Sequence, residues 1–344
     1  MNIMQLRAFP LLFSVVLVLI FSSCNKHAKP DLEKEKAMLL KKGMLIENTF
    51  LKIVAETDTL ATYVTNLYVQ QKKYNVQSDS SKYEEIDGGI LYKPSNDGNA
   101  AVYVSGKVPV NEAIRNIVHF TSPVDSLLKK LVLELGPLVV QSYFCEQHSY
   151  FRFYPFLDVL GQFQPKMNIL DYNIYYLADK ENNPGRGPMI IDNPYVDPAG
   201  RGWIISSIAP VYSNNILEGV VGLDISVDAL HNMFLSADES DIMLVDSSGI
   251  IIMMDDKKSG LFEMPSMKSN KYIETIRNNE YLGTDFNFLC SKNKNIRTAF
   301  TELLRNNKPY TTVTIDEDEY YLVAYKIEKL NWFLIKVIST NQNS

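Results

Sequence analysis

The sequence reads Asn193-Pro194-Tyr195-Val196-Asp197-Pro198-Ala199-Gly200-Arg201-Gly202-Trp203-Ile204-Ile205-Ser206 and, further on, Gly219-Val220-Val221-Gly222-Leu223-Asp224-Ile225-Ser226. Apolar and β-branched runs over 203–212 and 219–225 predict two strands, and the turn Ser213-Asn214-Asn215 predicts that they form a hairpin. Asp224 ends the second apolar run. Because a carboxylate in that position is costly to bury without a cation, the hairpin is also a candidate binding element.

Outward from this hairpin, the chain divides into two successive sets of strands and helices. The first set has predicted strands at 89–92, 101–105, 139–145 and 150–154 and predicted helices at 123–135 and 227–235. The second has predicted strands at 242–246, 250–254, 310–315, 319–327 and 332–338 and predicted helices near 266–279 and 294–305. In both sets, strands precede a helix and an antiparallel meander closes the unit, which indicates an α+β fold.

The segments between these elements are read from their turn-forming residues. Residues 156–200 are rich in Pro and Gly and are predicted to be mostly loop, a length typical of a functional segment. Asp255-Asp256-Lys257-Lys258 is predicted to be an exposed turn, and Asp316-Glu317-Asp318-Glu319 a solvated hairpin tip.

A long helix is predicted over residues 31–72, before the first set. Apolar residues recur there every three or four positions, and the stretch holds no Pro and a single Gly up to Gln71. Asp31 is the predicted N-cap, with Glu33 and Glu35 in the first turn. A helix of this length is expected to support more than one module, and a free coiled coil is the alternative.

The first residues resemble a secretion signal. Arg7 precedes an apolar run from Ala8 to Phe21, which is shorter than a membrane span and has the length of a signal peptide. The run ends at Phe21-Ser22-Ser23-Cys24, which resembles a bacterial lipobox and implies cleavage after residue 23 and lipidation of Cys24. The alternative is an uncleaved anchor helix that ends in a free Cys.

Composition excludes several classes of protein. The chain has 344 residues, 46% of them hydrophobic, and a formal net charge of −6, which argues against a nucleic-acid surface. Three Cys exclude a disulfide-dense scaffold, and the pairing of Cys145 with Cys290 stays open beside the alternative that both are buried thiols. The four His lack metal-ligand spacing, and the sequence shows no nucleophile motif or phosphate loop. We therefore expect no enzymatic activity, no metal and no cofactor.

Three stretches together carry a family resemblance. They are the segment from Asn193 to Ser206, the hairpin from Ala209-Pro210-Val211-Tyr212 to Ser226, and a C-terminal pair, Glu319-Tyr320-Tyr321-Leu322-Val323-Ala324-Tyr325 and Leu330-Asn331-Trp332-Phe333-Leu334-Ile335. The chain resembles a double Cache (dCache) extracellular sensor domain over about residues 31–339. This implies a long N-terminal helix followed by two PAS-like Cache modules, each with an antiparallel sheet flanked by helices.

The resemblance also implies an organisation along the chain. Residues 1–23 are the predicted signal peptide, 24–30 the lipidated Cys and tether, and 31–72 the long helix. Residues 73–237 are the predicted membrane-distal, ligand-binding module, 238–339 the membrane-proximal module, and 340–344 a tail. The sequence shows no second apolar span after Ile338. We therefore expect a stand-alone, lipid-anchored protein of the cell envelope that faces the periplasm or the exterior.

Such a protein is expected to act with partners. A separate transmembrane receptor or kinase is the expected signalling partner, and the long helix would allow a homodimer. The expected function is a small-molecule sensor or solute-binding lipoprotein whose ligand bears an amine. The alternative is a structural or adhesive surface lipoprotein with a degenerate Cache pocket.

The resemblance also implies which residues hold the ligand. Amino-acid-binding dCache domains hold the α-ammonium with a Tyr-x-Asp pair and a later Asp, and Tyr195, Asp197 and Asp224 match these positions. The match agrees with the chemistry of an ammonium, which has three donors that two carboxylates and a ring face can satisfy. The alternatives are that Asp197 caps a turn and that Asp224 caps the following helix.

The other end of the ligand is less well matched. Where the family has an Arg-x-Trp-Tyr segment for the carboxylate, this chain has Asn173-Ile174-Tyr175-Tyr176, and an Asn lacks the planar fork that binds a carboxylate. Tyr175 and Tyr176 stay candidate ligand residues, and Arg152 and Tyr154, on one face of a predicted strand, are expected to supply the missing cation and a ring. The alternative for Arg152 is a surface ion pair.

Overall fold

The computed structural model describes residues 30–71, 80–197, 200–235, 239–266 and 285–340. Helix α1 spans Leu32–Val69, and the Asp31 side chain accepts a hydrogen bond from the Lys34 amide at 3.1 Å, which caps the first turn. The apolar face of α1 is buried at residues three or four apart, including Leu39, Ile46 and Phe50. The predicted long helix and its N-cap are confirmed.

The first sheet contains eight antiparallel strands. In chain order they are β1 (Glu84–Ile86), β2 (Ile90–Tyr92), β3 (Ala101–Val104), β4 (Val139–Glu146), β5 (Tyr150–Tyr154), β6 (Met189–Val196), β7 (Trp203–Ser213) and β8 (Ile216–Ser226). Their order across the sheet is β1-β2-β3-β5-β4-β8-β7-β6. The predicted hairpin is β7–β8, whose turn holds Asn214 and Asn215 at positive φ, a conformation that Asn tolerates.

The two faces of this sheet pack against different elements. One face lies on α1, on α2 (Glu112–Phe120) and on α3 (Val124–Leu135), where Val102 and Phe144 join the core with Leu60 and Leu128. The other face carries Tyr103, Tyr143 and Phe153. It is covered by residues 156–188, which include the short helices α4 (Val159–Gln162) and α5 (Asn173–Tyr176).

The second sheet contains five antiparallel strands in the order β10-β9-β13-β12-β11. They are β9 (Ile242–Asp246), β10 (Ile251–Met253), β11 (Tyr310–Ile315), β12 (Asp318–Ile327) and β13 (Trp332–Ser339). Helix α6 (Val227–Phe234) precedes this sheet in the chain, and α7 (Asp256–Leu261) and α8 (Lys294–Leu304) lie within its part of the sequence. The core beside α8 includes the stacked rings of Phe288 and Phe300, whose centroids are 3.7 Å apart.

Helix α1 contacts both sheets. The Thr57 hydroxyl lies 2.8 Å from that of Ser207 in the first sheet, and Gly43 lies against Tyr325 in the second. Phe50 packs edge-on against Trp332 at a centroid distance of 4.8 Å. The helix is therefore a shared support for the two sheets.

The α+β class, the long helix and the two antiparallel sheets with flanking helices are as predicted. Two local predictions are wrong: residues 189–196 form β6 inside the predicted loop region, and Asp255 caps α7 where an exposed turn was predicted. Cys145 is a buried thiol and Cys290 an exposed one, so the two are not bridged. Burial raises the pKa of the Cys145 thiol, which keeps it protonated.

Several predictions fall on undescribed parts of the chain. The signal peptide at 1–23, lipidation at Cys24, most of the tether and most of the helix predicted near 266–279 lie outside the described residues. Within the described ranges, no helix has the length and apolar character that a membrane span requires.

Candidate ligand-binding site

A cavity of about 360 Å³ lies between the first sheet and the segment that covers its outer face. Its size is within the usual range for small-molecule sites. Strands β4 to β8 supply its floor and part of its wall, and residues 163–174 supply the opposite wall. The lining residues are Lys107, Gln141, Tyr143, Phe151, Phe163, Gln164, Lys166, Met167, Asn168, Ile169, Asp171, Tyr172, Asn173, Ile174, Tyr195, Val196, Asp197, Ile204 and Asp224.

Asp224 lies in the floor of this cavity on β8 and is 3% exposed. The strand register places Gln141 of β4 on one side of it and Ser206 of β7 on the other. Ser206 Oγ donates to Asp224 Oδ1 at 2.5 Å, and Gln141 Nε2 donates to Oδ2 at 3.1 Å. Neighbouring strands therefore satisfy the carboxylate by neutral donors, and no cation touches it directly among the described residues.

Asp197 follows β6 and enters the same floor through a tight loop. Its amide donates to Gly202 O and its carbonyl accepts from the Gly200 amide, both at 2.9 Å. Gly200 and Gly202 have φ of 78° and 83°, a backbone region that favours glycine, so the loop depends on both. This geometry brings Arg201 back onto Asp197, where Nη1 lies 3.1 Å from Oδ2.

The polar groups of the floor form one connected network. Arg201 Nη1 also donates to Gln141 Oε1, and the same Gln141 side chain donates to Asp224. On the other side, the Tyr195 hydroxyl lies 2.6 Å from Ser206 Oγ. When Ser206 donates to an ionised Asp224, it accepts from Tyr195, so the Tyr195 ring is held at the edge of the carboxylate pair.

The floor carries more negative than positive charge. Burial, and then the charge of Asp197, raise the pKa of Asp224 to about 7, against the lowering effects of Ser206, Arg201 and Gln141. Burial and the nearby Asp224 charge likewise raise the pKa of Tyr195, which keeps its phenol neutral. Arg201 pairs with Asp197 and acts on Asp224 only through its charge, and a bound cation would further favour the ionised form of Asp224.

The walls are apolar and the mouth is charged. Phe151, Phe163, Tyr143 and Tyr172 present rings to the cavity. Lys107, Lys166 and Asp171 are exposed at its mouth. The arrangement suits a small molecule with a cationic end that reaches the floor and an aliphatic or aromatic body along the rings.

The structure places three of the seven candidate ligand residues, Tyr195, Asp197 and Asp224, on the cavity. Tyr175 is buried behind the wall, where its hydroxyl donates to Leu217 O at 3.3 Å, and Tyr176 is half-buried in α5. Neither Tyr175 nor Tyr176 is a lining residue, whereas Asn173, at the position of the family's Arg, is one.

The expectation that Arg152 and Tyr154 face the cavity is wrong. On β5 it is Phe151 and Phe153 that point to the cavity side, while Arg152 and Tyr154 point to the helices. Arg152 is fully buried there: it pairs with Asp125 at 2.5 Å, donates to Val118 O at 2.7 Å and donates to the Tyr150 hydroxyl. Its guanidinium is therefore engaged in a structural network, and the surface ion pair considered as the alternative is also excluded.

The alternatives for the two aspartates have different outcomes. The cap of α6 is Ser226, whose Oγ accepts from the Ala229 amide at 3.2 Å, so Asp224 does not cap that helix. Asp197 does accept from the Arg201 amide at 3.3 Å, so it stabilises its turn as well as lining the cavity.

Sequence reasoning missed Gln141, Ser206 and Arg201. A partial signal for the first two was present, because each is a polar residue in a strand that is mostly apolar, but Ser142 and Ser207 beside them are polar as well. Arg201 lies in the quoted Gly200-Arg201-Gly202 turn, but only the fold shows that the turn returns its side chain to Asp197.

The described residues contain no group of His, Cys, Asp and Glu side chains arranged to hold a metal ion. The sequence itself matches no protein-family model and no curated protein.

The fold of the chain is similar to that of several solved structures. The chain is similar to the ligand-binding domain of the Pseudomonas fluorescens chemoreceptor CtaA in complex with L-alanine, with a TM-score of 0.55, 15% identity, and coverage of 90% of this chain and 98% of that one. For the ligand-binding domain of the Pseudomonas aeruginosa PAO1 amino acid chemoreceptor PctB in complex with L-Arg, the TM-score is 0.51 and the identity 11%, over 89% of this chain and 94% of that one. For the sensory domain of the Campylobacter jejuni chemoreceptor Tlp3 (CcmL), they are 0.51 and 12%, over 90% and 93%. At these identities the likeness concerns the fold alone: the chain has the α+β fold of Cache-type ligand-binding sensor domains of chemoreceptors and of the extracellular domain of a putative histidine kinase.

Proposed function

We propose that this protein is an extracytoplasmic sensor or solute-binding lipoprotein that holds an amine-bearing small molecule in the cavity of its first module. Asp224, Asp197 and Tyr195 receive the ammonium. Residues 73–237 form the ligand-binding module, and residues 238–339 form the module that supports it. The solved structures compared above are ligand-binding or sensory domains of chemoreceptors, and two of those three are in complex with an amino acid, which supports small-molecule sensing.

The observation that carries the proposal is the excess of carboxyl groups in the floor. Asp197 and Asp224 are both buried in the lining of one cavity, and Arg201 lies within ion-pair distance of Asp197. A ligand ammonium would bring these three side chains to neutrality when both carboxyls are ionised. It would also donate to carboxylate oxygens beside the Tyr195 ring.

The test is calorimetric titration of the purified protein with primary amines, amino acids and carboxylates, repeated on Asp224→Asn. The neutral variant should lose amine affinity by about tenfold or more, the usual effect of losing a charge-assisted hydrogen bond. Asp228→Asn is the matched control, because Asp228 is an exposed aspartate at the start of α6, away from the cavity lining. Binding of carboxylates alone would show that the amine assignment is wrong. Absence of all binding would instead favour the adhesive or structural lipoprotein.

The envelope location of the proposal rests on Ser22-Ser23-Cys24. Lipidation of Cys24 would hold the protein at a membrane face with its body in water. The Cys24→Ser variant should then leave the membrane fraction and lack the acyl mass on its N-terminal peptide. A variant that stays in the membrane fraction would favour the uncleaved anchor helix. A separate transmembrane receptor or kinase would relay the signal, with a homodimer through α1 as the proposed assembly.

A further inference from the structure

The mouth of the cavity carries two lysines that the proposed amine site does not use. Lys107 follows β3, and Lys166 lies in the segment that covers the sheet. Both are exposed lining residues, and neither forms an ion pair with any described carboxylate. They are also the two cationic side chains in the lining of the cavity.

We propose that the cavity binds an extended zwitterion, with its ammonium on Asp224 and Asp197 at the floor and its anionic group on Lys107 and Lys166 at the mouth. An ω-amino acid has this form, whereas an α-amino acid carries both charges on one carbon. The inference rests on the proposed function of the same cavity and names the class of ligand.

Among the described residues, the floor of the cavity has no uncommitted cationic side chain that could bind an anionic group of the ligand. A carboxylate next to the ammonium would lie beside Asp224 and Asp197, which repel it. Arg201 already binds Asp197 and Gln141. Asn173, whose side-chain carbonyl oxygen accepts from the Ile174 amide at 2.8 Å, can offer an anion only its neutral side-chain NH2 group.

Hydrogen bonds fix the two backbone segments that form the mouth of the cavity. The Gly106 amide donates to Pro165 O at 2.9 Å, and the Tyr103 hydroxyl donates to Gln164 O at 2.7 Å. The first of these bonds joins the end of β3 to the covering segment one residue away from Lys107 and from Lys166. A Cβ at Gly106 would overlap the Gly88 carbonyl and crowd Pro165 O, so the backbones approach each other closely at this point. The backbones that carry the two lysines are therefore fixed side by side.

The strand register separates this mouth from the floor. From β8 to β3 the sheet order crosses β4 and β5, three strand spacings, or roughly 14 Å. Val104, at the end of β3, is level with Gly219 of β8 through its pairing with Tyr150 and the pairing of Glu146 with both. Gly219 is five residues before Asp224, which adds about 16 Å along the strand.

The separation of the mouth from the floor, across the strands and along them, favours ω-amino acids over α-amino acids. Asp224 and Lys107 both line the cavity, and the lengths of their side chains cover only part of that distance. A molecule that touches both ends must hold its charges several bonds apart. Asp171 also lies at the mouth, so the three charged side chains there leave one net positive charge for the anionic group.

The experiment is a calorimetric series with glycine, β-alanine, γ-aminobutyrate and ε-aminocaproate, beside hexylamine and hexanoate. Affinity should rise with the separation of the charges. ε-Aminocaproate should bind roughly tenfold more tightly than hexylamine, the usual size of the effect for two partly exposed ion pairs. In the double variant Lys107→Gln, Lys166→Gln this advantage should disappear, while hexylamine, which has no anionic group, should still bind. Lys180→Gln, at an exposed lysine outside the cavity lining, is the matched control.

The outcomes separate this inference from the proposed function. Glycine as the tightest ligand, or a double variant that binds ε-aminocaproate like the unmodified protein, would overturn the extended zwitterion and leave the amine site intact. Loss of hexylamine binding in Asp224→Asn, with the length series as expected, would support both. If none of the amines binds, both are overturned.

Discussion

The carboxyl of Asp224 is poised between its neutral and ionised forms at neutral pH. Its pKa is raised to about 7 first by burial and then by the charge of Asp197, while Ser206, Arg201 and Gln141 oppose the shift. Without a cation nearby, burying the neutral carboxyl costs less free energy than burying the ionised one. The ionised form is the one that binds a cation. In the proposed function, ligand binding and proton release are therefore coupled at this single residue.

We expect amine affinity to rise with pH because of this coupling. Between pH 6 and pH 8 the increase should be about tenfold, the effect of one proton that must leave a group of pKa about 7. Without ligand the sign is reversed: the folded protein holds this proton more tightly than the unfolded chain. The free energy of unfolding should then fall as pH rises from about 4 to about 7 and level off above. Titration calorimetry in two buffers of different ionisation heat would count the proton, and a pH-independent affinity would contradict the prediction.

Arg152 illustrates a residue whose chemistry points to a ligand and whose position does not. Burial opposes its charge, yet Tyr150, Asp125 and Tyr83 raise its pKa well above the usual value, so it stays charged in the core. Replacing one member of a buried ion pair leaves the other without compensation.

Arg152→Gln should therefore lower the free energy of unfolding by about 3 kcal/mol, measured by urea titration. Under conditions in which the variant is fully folded, its amine affinity should stay within about twofold of that of the unmodified protein, a difference in binding free energy below about 0.5 kcal/mol. Loss of binding without loss of stability would contradict the placement of Arg152 on the helix side of the sheet.

At the scale of single elements, the positions of the strands are predictable from the sequence, but the direction in which their side chains point is not always so. Most helices and strands were predictable because their apolar periodicity is regular, and Asp224 was found because a charge stands out at the end of an apolar strand. The orientation of β5 was not predictable in the same way. All five of its residues are buried or half-buried, so alternation cannot tell the cavity face from the helix face.

Many residues of the cavity wall were also not predictable from the sequence, for a different reason. Lys107, Lys166 and Asn168 lie on irregular segments whose position depends on long-range bonds such as that from Gly106 to Pro165. Irregular segments have no periodicity that predicts a face. The strand β6 was missed because Pro194 and the register shift between Ile191 and Tyr195 interrupt its alternation.

The contact between α1 and the second sheet can be tested at Gly43. Alanine usually stabilises a helix by about 1 kcal/mol relative to glycine. Here a Cβ would overlap the Tyr325 ring and crowd Ile327, so Gly43→Ala should instead lower the free energy of unfolding by about 1–2 kcal/mol.

Gly260→Ala is the matched control for this prediction. Gly260 also lies in a helix, but among the described residues no atom outside its own helix backbone and chain neighbours lies within 4 Å of the added methyl position, so the substitution should be neutral or stabilising by up to about 1 kcal/mol. Equal effects of the two substitutions in urea unfolding would contradict close packing at Gly43.

At the scale of the whole molecule, the cavity and the second sheet meet through β6 and the loop after it. Tyr195 of β6 lies in the cavity floor, and Asp192 of the same strand accepts from Trp332 Nε1 at 3.2 Å. Trp203, which follows the loop, packs edge-on against Phe286 at 5.6 Å. Because Trp332 also packs on Phe50 of α1, one ring joins the helix, the second sheet and the strand that carries the site.

The Asp192–Trp332 hydrogen bond gives the last prediction. Burial raises the pKa of Asp192, the indole bond lowers it, and the nearby Asp246 raises it. Trp332→Phe keeps a ring against Phe50 but removes the donor, so the pKa of Asp192 should rise further. The loss of ring volume lowers stability equally at every pH. The lost bond should add about 1–3 kcal/mol to the loss of stability at pH 8 and less at pH 5, because the bond stabilises the ionised carboxylate and a raised pKa leaves more of the group neutral at the lower pH.

A double-mutant cycle isolates this effect. In the Asp192→Asn background the side chain no longer ionises, so Trp332→Phe should cost the same free energy of unfolding at pH 5 and at pH 8. A pH-dependent loss that persists in that background would assign the effect to another group, such as Asp246. If the dependence disappears there, the strand that carries Tyr195 is fastened to the second sheet by a titratable bond. Protonation of Asp192 would then weaken the connection between β6, which carries Tyr195, and the second sheet.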